Sequence, residues 1–133
     1  MGEIRPPEPV TPIASVFTAN ENLFETVKET LTERLGSCIY SSPVLPFNYT
    51  EYYTSEMGVG LKRCIFAFSK LINQGELPAL KHWSNILEQQ WSLAGQRMVN
   101  IDVGYVSLGK LVLASTKDHS HRIYIADGIY GEV

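Results

Sequence analysis

The stretch MVNIDVGYV, residues 98–106, alternates apolar and polar side chains over most of its length. Alternation with a period of two is typical of a β-strand, whose successive side chains point to opposite faces of a sheet. The apolar face would carry Val99, Ile101 and Val103, and the opposite face would carry Met98, Asn100 and Asp102. A strand at this position completes the order of elements on which the fold assignment depends.

Two amphipathic helices precede this strand. The first is predicted over residues 22–35, because apolar side chains recur every four positions at Leu23, Val27, Leu31 and Leu35. Asn22 and Glu25 have the spacing of a capping box at its start, and Gly36 is predicted to end it. The second helix begins near Pro78 and presents an apolar stripe made of Leu80, Trp83, Leu87 and Trp91.

Three apolar runs predict further strands, at residues 13–18, 37–42 and 61–72. The last of them is apolar on both faces between Cys64 and Phe68, which is typical of a strand at the centre of a sheet. The order is then strand, helix, strand, strand, helix, strand. We therefore predict an α+β domain with a ferredoxin-like split βαβ fold, an antiparallel sheet with both helices on one face.

The two ends of the chain add an arm, a helix and a hairpin to this plan. Residues 1–10 contain three prolines and are predicted to form an extended arm of a single domain that spans residues 1–133. Residues 108–114 are predicted to form a short helix with one face made of Leu108, Leu111 and Val112. Asp127 and Gly128 predict a two-residue β-hairpin that places Ala126 opposite Ile129 and Ile123 opposite Glu132.

The composition excludes several classes of protein. The chain has 133 residues, 44% of them hydrophobic and 19% charged, which favours one globular domain over intrinsic disorder. Its net charge is −3 and its basic residues form no run, which argues against a nucleic-acid partner. No apolar run approaches the roughly 18–20 residues of a membrane helix, and no signal peptide is recognisable. We therefore predict a cytoplasmic protein without a membrane partner, in which Cys38 and Cys64 are reduced.

Asn100 and Asp102 are the first candidates for a functional role, together with Tyr105. Two polar side chains two residues apart on a strand point the same way, so they can position a ligand hydroxyl or amine. Asp102 can also serve as a general base. The alternative is that these groups face solvent or hold a loop through side-chain hydrogen bonds. Asn and Asp are unfavourable in strands, which favours the functional interpretation slightly.

The segment STKDHSHR, residues 115–122, concentrates hydroxyl, imidazole and cationic side chains. Lys117 and Arg122 suit a phosphate or a carboxylate, because arginine donates two parallel hydrogen bonds to such groups. The alternative is a solvated loop that leads into the hairpin. A weaker hypothesis is a metal site, since histidine and carboxylate side chains with suitable spacing are present at His119, His121 and Glu132.

Two further segments carry weaker signals. The glycine-rich stretch MGVGLKR, residues 57–63, precedes a strand, whereas a phosphate-binding glycine loop follows a strand and opens a helix. Its glycines are therefore interpreted as turn formers, and no nucleotide-binding motif is predicted. Tyr49, Tyr52 and Tyr53 can stack on a ring or a sugar, with loop packing or a subunit contact as the alternative.

Several short blocks occur in a distinctive order along the chain. The first group contains PVLPF (43–47), YY (52–53), EMG (56–58) and GLKR (60–63), and the second contains NID (100–102), GY (104–105), LASTK (113–117), HRIY (121–124) and GIY (128–130) with Glu132. From about Ile4 to Val133 the chain resembles the bacterial Domain of Unknown Function 4416 family. The resemblance implies no activity and no assigned catalytic residue.

The resemblance also implies two departures from the family pattern. Family members usually have proline where Val103 stands. They also continue with a further strand and a WTYPDY-like segment, so this chain is expected to be truncated at its C-terminus relative to the family.

These observations favour a domain that binds a small anionic or hydroxylated ligand, and they identify no cofactor. The predicted ligand-binding residues are Glu56, Arg63, Asn100, Asp102, Tyr105, Lys117, His121 and Arg122. Asp102 and His121 are weak candidates for catalysis, and whether a reaction occurs stays open. The alternative is a non-catalytic homo-oligomer or interaction module, whose contact surface would combine the tyrosine segment with the edge of the terminal hairpin.

Overall fold

The computed structural model describes residues 1–48 and 52–133. Its helices are α1 (Asn22–Leu35), α2 (Thr54–Met57) and α3 (Leu77–Gln90), and a 3-10 turn over Gln74–Glu76 leads into α3. Its strands are β1 (Thr11–Thr18), β2 (Cys38–Ser41), β3 (Leu45–Pro46), β4 (Lys62–Phe68), β5 (Ser92–Leu93), β6 (Gln96–Arg97), β7 (Val99–Val106), β8 (Leu111–Ser115), β9 (Ile123–Ala126) and β10 (Ile129–Glu132).

Eight of the described strands form one sheet in the order β2-β4-β1-β7-β8-β10-β9, with β3 also paired to β4. The pairings are antiparallel. The predicted α+β class is therefore confirmed, with a mostly antiparallel sheet and a few helices. The four strands predicted for the split βαβ plan lie side by side as β2-β4-β1-β7. The ferredoxin-like topology is not confirmed, because the sheet extends beyond these four strands to eight.

The short helix predicted over residues 108–114 is wrong. A hydrogen bond of 2.9 Å from the Ser107 N–H to the Lys110 carbonyl closes a tight turn, and β8 then returns along β7. Val112 and Ala114 are buried and alternate with more exposed residues, as a strand requires. The apolar residues Leu108, Leu111 and Val112 fit both the helical and the strand period. The strand forms because it can pair with the open edge of β7.

The main core lies between the two long helices and one face of the sheet. Helix α1 buries Phe24, Val27, Leu31 and Leu35, and α3 buries Leu77, Leu80 and Leu87. The same core contains alternate residues of the four central strands, among them Val16, Phe66, Ile101 and Ala114. A smaller cluster is formed by Phe17, Met57 and Leu61, with Phe47 and Tyr53 packed against it. Phe17 follows Val16 on β1 and therefore points to the face opposite the main core.

The strand around Cys64 lies inside the sheet, paired on both sides, but it is not fully buried on both faces as its apolar run suggested. Strand β4 is second from the edge, and only Cys64, Phe66 and Phe68 are buried, whereas the residues between them are half-buried. Strand β1 is buried along nearly its whole length. It is paired on both sides, and its alternate residues point into two apolar clusters on opposite faces of the sheet. Cys38 and Cys64 are both free, as predicted.

Helix α1 has the predicted bounds, but the predicted capping motif does not form at its start. The Gly36 N–H bonds the Thr32 carbonyl at a φ of 85°, a conformation that favours glycine. At the start, however, Asn22 already lies inside the helix, and no side chain caps it. The Asn22 N–H instead donates to Asn20 Oδ1 at 3.1 Å. The capping box predicted for Asn22 is therefore wrong.

The terminal hairpin forms with a shifted register. Ala126 lies opposite Ile129 as predicted, and Asp127 and Gly128 have φ values of 53° and 79°, as a type I′ turn requires. An irregularity after Ile129 then pairs Tyr130 with Tyr124 and Gly131 with Ile123. The predicted pairing of Ile123 with Glu132 is wrong by one residue, because a bulge changes the alternation beyond it.

The extended arm is one residue shorter than predicted. Val10 is buried and exchanges two hydrogen bonds of 2.9 Å with Ile72, whereas residues 1–9 are exposed. None of the helices in the described part of the chain is long and apolar enough to cross a membrane.

Candidate functional site

A cavity of about 500 Å³ lies where β7 and β8 part from each other. Strand β7 pairs with β1 along all of Val99–Val106, but it pairs with β8 only from Gly104 onward. Strand β8 continues its pairing with β10 instead, through Ser115. The cavity is lined by residues of β7, of β8 and of α3. Part of the β7 edge therefore faces helix side chains instead of a neighbouring strand.

Two buried charged side chains of α3 bond this open edge of β7. Lys81 Nζ donates to the Ile101 carbonyl at 3.2 Å, and the Ile101 N–H donates to Glu88 Oε2 at 2.7 Å. Lys81 and Glu88 are two helical turns apart, so they project from the same face of α3. Their charged ends take the place of a missing strand partner, because a buried backbone N–H or carbonyl needs a hydrogen bond. Burial raises the pKa of Glu88.

Asp102 and Asn100 form the β7 wall of the cavity. Lys81 Nζ lies 3.3 Å from Asp102 Oδ1, and the Asn100 side-chain amide donates to Asp102 Oδ2 at 3.0 Å. The two side chains lie side by side, as predicted from their spacing. Both carboxylate oxygens of Asp102 are thus held in place by neighbouring donors.

Arg97 connects three elements around the cavity. Its Nε and Nη2 each donate to a carboxylate oxygen of Glu56 at 2.9 Å, and its Nη1 donates to Asn100 Oδ1 at 2.9 Å and lies 3.5 Å from Glu88. The hydrogen bonds from Arg97 lower the pKa of Glu56, and the same pair raises the pKa of Arg97. Arg97 thereby ties α2 to α3 and to β7.

The wall opposite β7 comes from the end of β8, the segment after it and β10. Arg122 donates to the Lys117 carbonyl at 3.2 Å and lies 3.4 Å from a carboxylate oxygen of Glu132. Burial raises the pKa of Glu132, but hydrogen bonds from Arg122 and His121 outweigh it, so the pKa is lowered overall. The Nε of Arg122 is buried and has no hydrogen-bond partner within residues 1–48 and 52–133.

Two cations of the cavity have no carboxylate partner in the described part of the chain. Arg63 donates from Nε to Ser15 Oγ at 2.8 Å, and its guanidinium lies 5.3 Å from the centre of the Phe47 ring. Lys117 Nζ lies 4.6 Å from the centre of the Tyr52 ring. Among the described residues, no carboxylate lies within salt-bridge distance of either cation. No described carboxylate therefore neutralises their charge.

Six of the eight predicted ligand-binding residues line this cavity, namely Glu56, Arg63, Asn100, Asp102, Lys117 and Arg122. The structure does not bring Tyr105 there. Its side chain belongs to the main core on the other face of the sheet, and its hydroxyl bonds Gln74 at 3.4 Å. His121 is also outside the lining: it is exposed and lies 2.6 Å from Glu132.

Several lining residues have no counterpart in the sequence prediction. They are Lys81, Asn85, Glu88, Gln89 and Arg97. Sequence reasoning could have found the four residues of α3, because their charged and amide side chains recur beside the apolar stripe of that helix. Arg97 lies in a short hairpin without any recognisable motif.

The remaining candidates have simpler outcomes. His121 and Glu132 are in contact, but the described residues contain no group of three His, Cys, Asp or Glu side chains arranged to hold a metal. The metal hypothesis for His119, His121 and Glu132 is therefore not supported. Tyr52 and Tyr53 line the cavity, and Tyr49 lies outside the described residues.

Comparison with known proteins identifies the family of the chain. No curated protein and no solved structure matches it. One family model matches residues 8–133, and its description is a domain of unknown function, DUF4416. That description names no activity, so any function has to be argued from the cavity. The match covers nearly the whole chain, which therefore belongs to the DUF4416 family.

Proposed function

We propose that the protein binds a small ligand with a phosphate or carboxylate group in the cavity between β7 and β8. The proposal is supported by the charges that converge there. Among the residues that the structure describes, five cations line the cavity, Arg63, Lys81, Arg97, Lys117 and Arg122, against four carboxylates, Glu56, Glu88, Asp102 and Glu132. Charged side chains gathered in one concave site are typical of a binding site for a charged ligand.

The pattern of ion pairs indicates which cations contact the anion. Arg97 is engaged by Glu56 and Glu88, and Lys81 is engaged by Asp102. Arg63 and Lys117 stay unpaired among the described carboxylates, and this is the observation that carries the proposal. An arginine supplies two parallel donors and a lysine supplies a compact charge, a combination that suits phosphate or carboxylate oxygens.

Hydroxyl and amide groups beside these cations extend the proposal to hydroxylated anions. Ser115 and Thr116 line the cavity next to Lys117, and Asn85 and Gln89 face it from α3. Such groups both donate and accept hydrogen bonds, so they can orient sugar-like hydroxyls. Binding is the proposed role, and Asp102 then acts by orienting Asn100 and Lys81.

Thermal unfolding in the presence of inorganic phosphate, citrate and a sugar phosphate tests this proposal. A ligand at about 100 times its Kd stabilises the folded state by about 2.7 kcal/mol, which gives a clear rise in Tm. We expect Lys117→Met and Arg63→Met to reduce the rise strongly. Lys110→Met is the matched control for Lys117→Met, because Lys110 is an exposed lysine of the same charge outside the cavity. No rise with any anion, or equal rises in Lys117→Met and Lys110→Met, would contradict the proposal.

A second candidate function is self-association through β9, and a specific observation favours it. Strand β9 is the last strand of the sheet in the described chain, and Ile123 and Tyr124 on it are 77% and 56% exposed. An open apolar strand edge favours pairing with another strand. Sedimentation velocity over a range of concentrations tests this candidate, with Ile123→Lys as the variant expected to remain monomeric. A wild-type protein that stays monomeric throughout would exclude it.

The cytoplasmic location stays a prediction from the sequence. The tyrosine segment, which the oligomer hypothesis included in its contact surface, supports the ligand proposal instead, because Tyr52 and Tyr53 line the cavity.

A further inference from the structure

A second cavity of about 320 Å³ adjoins the first one and has an aromatic character. It is lined by Tyr52, Tyr53, Lys117, His119 and Arg122. Four of these residues also line the charged cavity, so the two cavities share a wall. The shared wall combines two tyrosine rings with two cations. A ligand bound at the cations would therefore have aromatic rings directly beside it.

The two tyrosines are held in a defined arrangement. Tyr53 packs edge-on against Phe17 at 4.8 Å between ring centres, which anchors it to the smaller apolar cluster. Tyr52 meets Tyr53 at 4.9 Å and an interplanar angle of 85°. Lys117 Nζ lies over the Tyr52 ring. The side chain of Tyr52 is 68% exposed.

An exposed aromatic ring fixed next to cations recognises a particular ligand chemistry. A flat ring of the ligand stacks on the tyrosine, and the attached anionic group reaches the lysine and the arginine. Lys117 takes part in both contacts, because its ammonium can face the aromatic ring and an anion together. The hydroxyl and amide groups of the larger cavity lie close to the same wall and suit a sugar between ring and anion.

We infer that the ligand carries a planar ring together with its anionic group, as a nucleoside monophosphate does. The inference rests on the proposed anion site and specifies its ligand class. The ring lies against Tyr52 in the smaller cavity, and the phosphate lies among Arg63, Lys117 and Arg122.

Isothermal titration with four probes tests the inference, namely inorganic phosphate, ribose 5-phosphate, AMP and benzoate. We expect AMP to bind about tenfold more tightly than ribose 5-phosphate, since stacking of a base on an aromatic side chain is worth roughly 5- to 150-fold in affinity. Benzoate distinguishes an aromatic carboxylate from a nucleotide as the source of ring and anion. Tighter binding of benzoate than of AMP would retain the ring-plus-anion inference and reject the nucleotide form.

Three variants separate the ring contact from the anion contact. Tyr52→Ala should weaken AMP about tenfold and phosphate less than twofold, whereas Tyr52→Phe should keep AMP affinity. Tyr40→Ala is the control, because Tyr40 is an exposed tyrosine outside both cavities. Phosphate binding with equal affinities for AMP and ribose 5-phosphate would overturn this inference alone. The absence of binding by all four probes would overturn the proposed anion site as well.

Discussion

At the scale of single residues, the site depends on two opposite charges buried on one helix. Lys81 and Glu88 are both nearly inaccessible, and each bonds a backbone group of Ile101. Burying an unpaired charge is costly, so such residues persist where their partners are fixed. Here the fixed partners are the β7 backbone, Asp102 and Arg97. The charges that bond the open strand edge therefore also define the floor of the cavity.

Glu88 gives the first prediction, which concerns pH. Because burial raises the pKa of Glu88 in the folded state, its contribution to stability is present below the ordinary glutamate range and is lost as the pH rises through the raised value. Glu88→Gln keeps an acceptor for the Ile101 N–H but cannot ionise. We therefore expect the free energy of unfolding of the wild type to fall relative to Glu88→Gln as the pH rises from about 4, the ordinary glutamate range, through the raised pKa.

Urea unfolding of both proteins across this pH range measures the difference. Glu88→Leu is the control, because it removes the acceptor, leaves the Ile101 N–H unpaired and should cost about 1–3 kcal/mol. The difference in the free energy of unfolding between wild type and Glu88→Gln could instead stay constant or change with the opposite sign. Either result would show that burial does not destabilise the ionised form of Glu88.

The sequence predicts some of the candidate site residues well and gives no indication of others. Asn100 and Asp102 were predictable, because a period of two places them on one face and both are unusual in a strand. Tyr105 was assigned wrongly, because the same period of two places it with Ile101 and Val103 on the apolar face, where the structure buries it in the main core. Arg97 had no local signal at all. Its importance comes from contacts with Glu56 and Asn100 that only the folded chain creates.

At the scale of elements, the helix starts show how local signals compete. Asn22 and Glu25 have the spacing of a capping box, yet the box forms at Asn73 and Glu76, ahead of α3. There the Asn73 side chain accepts from the Gly75 N–H at 2.9 Å, and the Asn73 N–H donates to Glu76 at 2.7 Å. The spacing alone is common, so the backbone conformation before the helix decides which candidate forms the motif.

The second prediction compares these two asparagines. Asn73→Ala removes the acceptor of the Gly75 N–H and should lower the free energy of unfolding by about 1 kcal/mol. Asn22→Ala should change it by less than about 0.5 kcal/mol, because Asn22 lies within α1 and no side chain caps that helix. Chemical denaturation of both variants measures the contrast. Equal losses, or a larger loss in Asn22→Ala, would mean that α1 starts as the sequence pattern suggested.

The third prediction concerns the point where β7 and β8 come together. A Cβ atom at Gly104 would overlap the Val112 carbonyl oxygen and lie 2.9 Å from Leu113 Cδ2. Because the first of these is a backbone atom, β8 would have to move. We expect Gly104→Ala to lower the free energy of unfolding by about 3 kcal/mol.

Gly109→Ala is the matched control for this substitution. Gly109 lies in the turn between the same two strands, and a Cβ atom there would have nothing within 4 Å. The free energy of unfolding of the Gly109→Ala variant should stay within about 0.5 kcal/mol of the wild-type value. Calorimetric unfolding compares the two variants, and a Gly104→Ala protein as stable as Gly109→Ala would contradict the close approach of β7 and β8.

At the scale of the whole molecule, the sheet is larger than its local patterns indicate. Strands β1, β2, β4 and β7 and the terminal hairpin of β9 and β10 each have a local signal, whereas the five residues of β8 fit both a helix and a strand. Hydrophobic period cannot show whether a terminal hairpin stands alone or joins the sheet, because that depends on the free edge of β7. The cavity arises from the same long-range event, since it occupies the space where β8 turns away from β7 to pair with β10.

The last prediction tests where the folded unit begins. Residues 1–9 are exposed, and the ion pair between Glu3 and Arg5 lies within the arm itself. Val10, in contrast, is 3% exposed and pairs with Ile72. Deleting residues 2–7 should leave Tm nearly unchanged, whereas Val10→Ala should cost about 2 kcal/mol, a fall of roughly 8 °C in a domain of this size. A scanning calorimeter resolves both effects. If the deletion lowered Tm as much as Val10→Ala does, the arm would be part of the folded unit, and the boundary at Val10 would be wrong.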